Sequence, residues 1–364
     1  MRTSPATGLP DFRRRFTEAL GARANRNSSY LSENTETVSD IRTPGIVHGM
    51  TMSAHRVVPV YRSAFERWEK RAGVRVKPRR EMAADEPSDT YFPPELVPAA
   101  GHPLVVARGP AAPKRILTSR LFQYLHFTTE LEATAVIPVT IDISLGRSGL
   151  HLPVRMLRDA FCITTDEAWH AQFSNDLMEQ VSEHTGVPIA LPARPQFIDR
   201  LAKVRHDLDG EIRGSASIAF SVVSETLISA ILSDLPKDPR LPRVVRSVVA
   251  DHAEDEGRHH AYFHCLLGEF WTALSTAQRR ELGPVFPDLI RIFLEPDYRA
   301  VSYALFELGL TDDEVAEVMH DSYPAESVTR DIAAAAGATV RYLGDVGALD
   351  DPKTLDAFHR AGLV

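Results

Sequence analysis

Cysteine is scarce in this chain of 364 residues, which has two, Cys162 and Cys265. Each sits among apolar neighbours, which argues against a disulfide framework and for buried free thiols. Positive charge is also in short supply. The formal net charge is −8 and the one compact basic run, Lys77–Arg80, reads as loop surface, so no nucleic-acid partner is expected. No apolar run reaches the roughly 18 residues that span a bilayer, and the N-terminal stretch lacks the apolar core of a secretory signal. The expectation is a cytoplasmic protein that meets no membrane. Alternating strand patterns are nearly absent, and there is no glycine fingerprint for a flavin or nicotinamide. What is present, 44% hydrophobic and 25% charged residues, is the composition of an ordinary globular protein.

Residues 1–55, rich in Ser, Thr, Asn and Arg, read as a loosely ordered arm with one short helix near Pro10–Leu20. Val57–Ala72 reads as a helix, and the prolines of Gly73–Pro113 make that stretch an irregular wrap. From Lys114 the texture turns helical. Apolar spacing predicts helices over Lys114–Leu145, over Val154–Cys162, and from a cap at Thr164 or Thr165 to about His184. Pro195–Leu235 follows, bent or broken at Gly210 and Gly214, and then a helix opened by Pro242 and running to about Leu274. Ser275–Leu294, Thr311–Ser322, Glu326–Tyr342 and Asp351–Ala361 complete the pattern. The fold class expected is all-α, a four-helix bundle core with additional peripheral helices and an irregular N-terminal arm. Residues 1–110 are expected to form an arm and wrap packed on the core, and residues 111–364 the helical domain.

The stretch Val248–His264 is unusual for its chemistry. His252, Glu256 and His259 stand at i, i+4 and i+7 and share one helical face, flanked by apolar runs. Burying imidazoles and a carboxylate costs several kcal/mol unless something compensates, and a metal does. A lone acid and histidine cluster is as readily a solvated face, so matching groups elsewhere must decide.

The rest of the chain supplies them. Glu167-Ala-Trp-His170 repeats the Glu256-Gly-Arg-His259 spacing, which puts both ends on one helical face. A third such pair, Glu317 and His320, lacks a partner acid helix and reads as amphipathic surface. Glu132 lies in an apolar helix 35 residues before Glu167, and Glu225 in another 31 residues before Glu256. One helix, a turn and a returning helix take about that many residues, so the acids come to one level of the bundle. Glu130 competes with Glu132, and spacing favours Glu132. Glu254, Asp255, His260 and His264 read as supporting or surface groups. A Glu from each of two helices and a Glu-x-x-His from each of two others hold a pair of iron or manganese ions in ferritin-like bundles. Carboxylates bridge the cations and cancel their charge, while imidazoles complete a mixed shell that suits iron. His252 adds to this pattern either as a seventh ligand or as a histidine supporting one.

The order Glu132, Glu167-x-x-His170, Glu225, then His252-Ala-Glu-Asp-Glu256-Gly-Arg-His259 resembles the p-aminobenzoate N-oxygenases, ferritin-like non-haem di-iron monooxygenases of bacterial natural-product pathways. The likeness covers about Leu117–Phe263, with a continuation to about Tyr342, and the third histidine is its most specific element. It implies the metal ligands Glu132, Glu167, His170, Glu225, His252, Glu256 and His259, and two iron ions with manganese as a substitute. It also implies O2-dependent oxidation of an aromatic amine, through hydroxylamine and nitroso stages, to a nitro product. An anionic substrate needs a cation, for which Arg330, or else Arg341, on a late helix is the candidate. Electrons are expected from a separate ferredoxin or reductase, and a homodimer is a family expectation. The competing functions are a di-iron C-hydroxylase or desaturase and a ferritin-like iron-binding protein.

Overall fold

A computed structural model describes residues 61–86, 90–232 and 234–364, so the arm and its helix near Pro10–Leu20 lie outside the described residues. Four long helical segments form the centre of the molecule: α4 (Ala111–Leu131) continued by α5 (Ile137–Ser144), α6 (Val154–Thr185), α8 (Arg213–Ile231) and α9 (Arg243–Ala273). Ahead of them come the short helices α1 (Trp68–Arg71), α2 (Gly73–Val76) and α3 (Pro103–Val106). Helix α7 (Gln196–Asp207) bridges α6 and α8. After α9 follow α10 (Thr276–Leu282), α11 (Phe286–Leu294), α12 (Tyr298–Phe306), α13 (Asp312–Ser322), α14 (Ala325–Asp345) and α15 (Pro352–Ala361). Among the described residues there is no strand.

Pairing inside the bundle follows from side-chain contacts. Thr129 Oγ1 lies 3.4 Å from the Ala171 carbonyl and Thr140 Oγ1 lies 2.8 Å from Thr164 Oγ1, so α4–α5 and α6 run antiparallel. Helices α8 and α9 pack on each other, and α9 also packs on α6. Phe122, Leu125, Phe220, Phe263 and Phe270, all buried, fill the space between the helices.

Several helix boundaries depart from the sequence pattern for identifiable reasons. Val154–Thr185 is one helix rather than two, because Thr164 and Thr165 turn their hydroxyls back to the carbonyls of Ala160 and Phe161. Their side chains serve the helix they sit in instead of capping a new one. Between α4 and α5 the chain makes a π-helical turn over Glu132–Val136. Pro138 has no N–H to give to the Thr134 carbonyl and its ring crowds that carbonyl, which interrupts the α-ladder there. The Ala135 carbonyl accepts the Ser221 hydroxyl at 3.2 Å instead. Pro242 sits at the N-cap of α9 rather than inside its first turn. Within the helix expected over Val57–Ala72, the described part is helical at Trp68–Arg71 alone, and the Ser63 hydroxyl accepts the Phe65 N–H in a local turn that competes with a helix. Helix α12, between Leu294 and Thr311, was not indicated by the apolar spacing.

The segment before the bundle is a strap along α6. Tyr61 donates to Asp159 at 2.7 Å, Trp68 Nε1 to Asp166 at 2.9 Å, and the Met82 N–H to Gln180 at 2.7 Å. These partners ascend together, so the strap runs in the same direction as α6. Arg80 and Lys77 pair with Asp251 and Glu254 of α9, which closes the strap across both helices.

Candidate metal centre

The seven side chains singled out by spacing come together in the middle of the bundle, all at 0–1% exposure. Glu132 comes from the π-turn, Glu167 and His170 from α6, Glu225 from α8, and His252, Glu256 and His259 from α9. His170 Nδ1 is 2.7 Å from Glu167 Oε2 and 3.4 Å from Glu256 Oε1. His252 Nε2 is 3.0 Å from Glu256 Oε1 and 3.9 Å from Glu132 Oε1. His259 Nδ1 faces Glu167 Oε1 at 2.9 Å, Glu256 Oε1 at 3.4 Å and Glu225 Oε2 at 3.8 Å. Two overlapping sets, Glu132/His170/His252/Glu256 and Glu167/His170/Glu256/His259, each offer four ligand atoms within 4.8 Å of one another. Glu130, two residues from Glu132, is only half-buried and is in none of these sets.

Hydrogen bonding leaves this cluster incomplete. Both oxygens of Glu132 and of Glu225, Glu167 Oε1, Glu256 Oε2 and His259 Nδ1 are buried with no hydrogen-bond partner. His259 Nδ1 and Glu167 Oε1 are 2.9 Å apart yet are not aligned for a hydrogen bond. Each such orphan costs about 1–3 kcal/mol, more when charged. Four carboxylates and three neutral imidazoles carry a charge of about −4, which two divalent cations cancel. Without cations, protons take their place. Burial first, and then the neighbouring acids, pushes Glu132 and Glu225 well above the ordinary carboxyl range. Against the opposing pull of burial, Glu167 raises His170, and Glu167 and Glu256 raise His259, well above the usual imidazole range. Burial works against Glu256 too, yet His259, His170 and His252 hold it well below the usual carboxyl range.

Two aspartates hold the far side of two rings: Asp255, which reads from the sequence as a supporting or surface group, and Asp166, which the spacing did not single out. His170 Nε2 is 3.3 Å from Asp255 Oδ2 and His259 Nε2 is 3.2 Å from Asp166 Oδ2. With Nε2–H given to a carboxylate, the Nδ1 lone pair of each ring is free to face the cluster, the tautomer a metal-binding histidine needs. The signal was in the sequence: each Glu-x-x-His is preceded directly by an aspartate, Asp166-Glu167 and Asp255-Glu256.

Arg330 and Arg341 are exposed on α14, and the structure does not bring either to the cluster. A different arginine borders a cavity of about 170 Å³ beside the bundle, whose lining includes Arg120, Tyr124, Phe127, Thr128, Phe197 and Phe293. Tyr124 and Thr128 lie on α4 two turns and one turn before Glu132, and Ile228, also in the lining, is one turn beyond Glu225 on α8. The Arg120 guanidinium stacks 4.9 Å over the Phe92 ring, and burial lowers its pKa. The Tyr124 hydroxyl is buried without a partner, and burial followed by Glu256 raises its pKa.

Another grouping, His102, Glu317 and Asp321, is electronically unsuited to a cation. The Leu104 N–H donates to His102 Nδ1 at 3.3 Å, so the neutral ring carries its proton on Nε2, facing Asp321. No lone pair remains there. Glu317 and His320 are exposed.

A four-carboxylate, three-imidazole cluster in a helical bundle defines a protein built to hold metal in its core. The chain belongs to the p-aminobenzoate N-oxygenase AurF family, whose model matches residues 60–347. A 4-aminobenzoate N-oxygenase of Streptomyces thioluteus is 26% identical to it over 273 residues, covering 73% of this chain and 78% of that one. The all-α ferritin-like fold and the oxygenase class expected from the motif order agree with this membership.

Proposed function

We propose that Glu132, Glu167, His170, Glu225, His252, Glu256 and His259 bind two iron ions, and that the enzyme uses them with O2 to oxidise an aromatic amine to its hydroxylamine, nitroso and nitro forms. The observation that carries this reading is the set of buried carboxylate oxygens with no hydrogen-bond partner in the protein, gathered around three imidazoles, a concentration of negative charge that cations compensate most fully. The mixed oxygen and nitrogen donor set suits iron and also accommodates manganese. When bound, reduced iron supplies the electrons and the open coordination positions that O2 activation requires.

The protein's own groups position the amine. Its aromatic ring packs against the contacting rings of Phe127, Phe197 and Phe293 that line the cavity beside the bundle. Arg120 at the cavity wall provides the cation for an acid group on the ring, in place of the exposed late-helix arginines. Tyr124 lines this cavity, close enough to Glu256 to feel its charge, and its hydroxyl is placed to hydrogen-bond the amino group. Reducing equivalents come from a separate ferredoxin or reductase. A homodimer, a cytoplasmic location and a role in natural-product formation accompany the family reading.

The test is a product analysis. Iron-loaded, reduced protein is given 4-aminobenzoate and isotopically labelled O2, and the products are read by mass spectrometry. Label carried on nitrogen is expected. Label found on ring carbon alone overturns N-oxygenation in favour of a hydroxylase.

A further inference from the structure

We infer that the strap before the bundle positions the two metal-facing histidines, Trp68 acting on His259 through Asp166 and Gly73 acting on His170 through Asp255. The inference rests on the two-cation reading above. Trp68 Nε1 lies 2.9 Å from both oxygens of Asp166, whose Oδ2 is 3.2 Å from His259 Nε2. The Gly73 N–H lies 3.1 Å from both oxygens of Asp255, whose Oδ2 is 3.3 Å from His170 Nε2. Arg258 pairs with Asp255 as well and lies 3.8 Å from Asp166, so one arginine sits between the two relays. Trp68 and Gly73 are buried, and so are both aspartates.

Each donor does a job that a neighbouring residue type cannot. A carboxylate accepting one ring N–H keeps further lone pairs, and if these are left empty it can rotate away from the ring. The indole and the amide each reach both oxygens of their aspartate, including the Oδ2 that faces the imidazole, and so fix the carboxylate plane. At Gly73 the fit is steric as well: a Cβ there would stand 2.6 Å from Asp255 Oδ2. Glycine is needed for close approach, since any side chain drives the carboxylate off His170. The strap is thus part of the centre, although it lies more than 80 residues before the first Glu-x-x-His.

The two relays serve different ends of the cluster. Both rings belong to the set with Glu167 and Glu256, but His170 alone also shares a set with His252 and Glu132, whereas His259 is the ring that faces Glu225. Losing either donor is expected to weaken one metal position more than the other. The experiment is an anaerobic titration of the full metal-free chain with cobalt(II), followed by visible absorption, for the wild type, Trp68→Phe and Gly73→Ala. Outer hydrogen-bond partners of metal-bound histidines are worth about ten- to a hundredfold in metal affinity. Each variant is expected to bind one equivalent as the wild type does and the other about ten- to a hundredfold more weakly, with a changed cobalt spectrum. Circular dichroism melting of the metal-free variants separates this from a loss of fold. Should Trp68→Phe fail to fold, Asp166→Asn, which keeps the shape and removes the charge, takes its place and is expected to weaken the same equivalent. Two equivalents bound with wild-type affinity by both folded variants overturn the inference and leave the two-cation reading standing. A wild-type chain that binds no cobalt overturns both.

Discussion

Glu225 shows how much of this protein's chemistry is concentrated in single side chains. It is fully buried, both of its oxygens lack partners, and its α8 neighbours Val222 and Ile228 are core residues. Burial and three other glutamates push its pKa upward, so in the metal-free protein it is a burden that a leucine would relieve. Glu225→Leu is expected to stabilise the metal-free protein by about 1–3 kcal/mol in urea unfolding. A destabilised variant would mean that Glu225 has a compensating partner within the protein. In the proposed substrate cavity the corresponding residue is Arg120. Arg120→Gln removes a charge-assisted hydrogen bond of about 1.5–3 kcal/mol, so KM for 4-aminobenzoate should rise about tenfold or more while that for an uncharged aniline stays near its starting value. Equal effects on both substrates would remove Arg120 from the acid-binding role.

Among elements, those carrying Glu-x-x-His were legible and the irregular ones were not. Regular helices repeat apolar residues every three or four positions, so the α6 and α9 faces could be read directly, as could the break between α7 and α8. The π-turn that carries Glu132 could not, because Pro138 breaks the ladder only where the bundle holds the rest of the helix in place. The hydroxyls of Thr164 and Thr165 resemble caps in sequence and prove to be back-bonds in the structure. Peripheral elements matter to stability without touching the centre. A Cβ on Gly283, in the turn between α10 and α11, would clash with the Thr354 hydroxyl of α15. Gly283→Ala should therefore cost about 1–3 kcal/mol in thermal or urea unfolding and leave metal content unchanged. Loss of metal in that variant would mean that the peripheral helices and the centre are coupled.

For the molecule as a whole, the cluster ties folding to pH and metal. In the metal-free protein Glu132, Glu225, His170 and His259 all have raised pKa values, so their contribution to stability is present below their ordinary values of 4.5 and 6.5 and is lost as pH rises through the raised ones. Glu256, with its lowered value, contributes with the opposite sign, and that contribution is lost as pH falls below 4.5. Urea unfolding should accordingly show the four raised groups withdrawing stability from the metal-free protein above about pH 4.5 for the two glutamates and above about pH 6.5 for the two histidines, and the loaded protein weakening less, because metal displaces those protons. Identical pH profiles for the two forms would contradict this. The strap marks the limit of what the sequence made legible at this scale. Its contacts join Trp68 to Asp166 and Gly73 to Asp255 across 98 and 182 residues, and no local periodicity records them. The same holds for the cavity whose lining includes Arg120 and not Arg330.

Metal content tests the central claim most directly. Chain refolded or reconstituted anaerobically with ferrous iron, freed of loosely held metal and assayed for iron per chain should hold two ions in the wild type and no more than one in Glu225→Leu. A wild type that retains no iron, or a variant that retains as much as the wild type, would contradict the account.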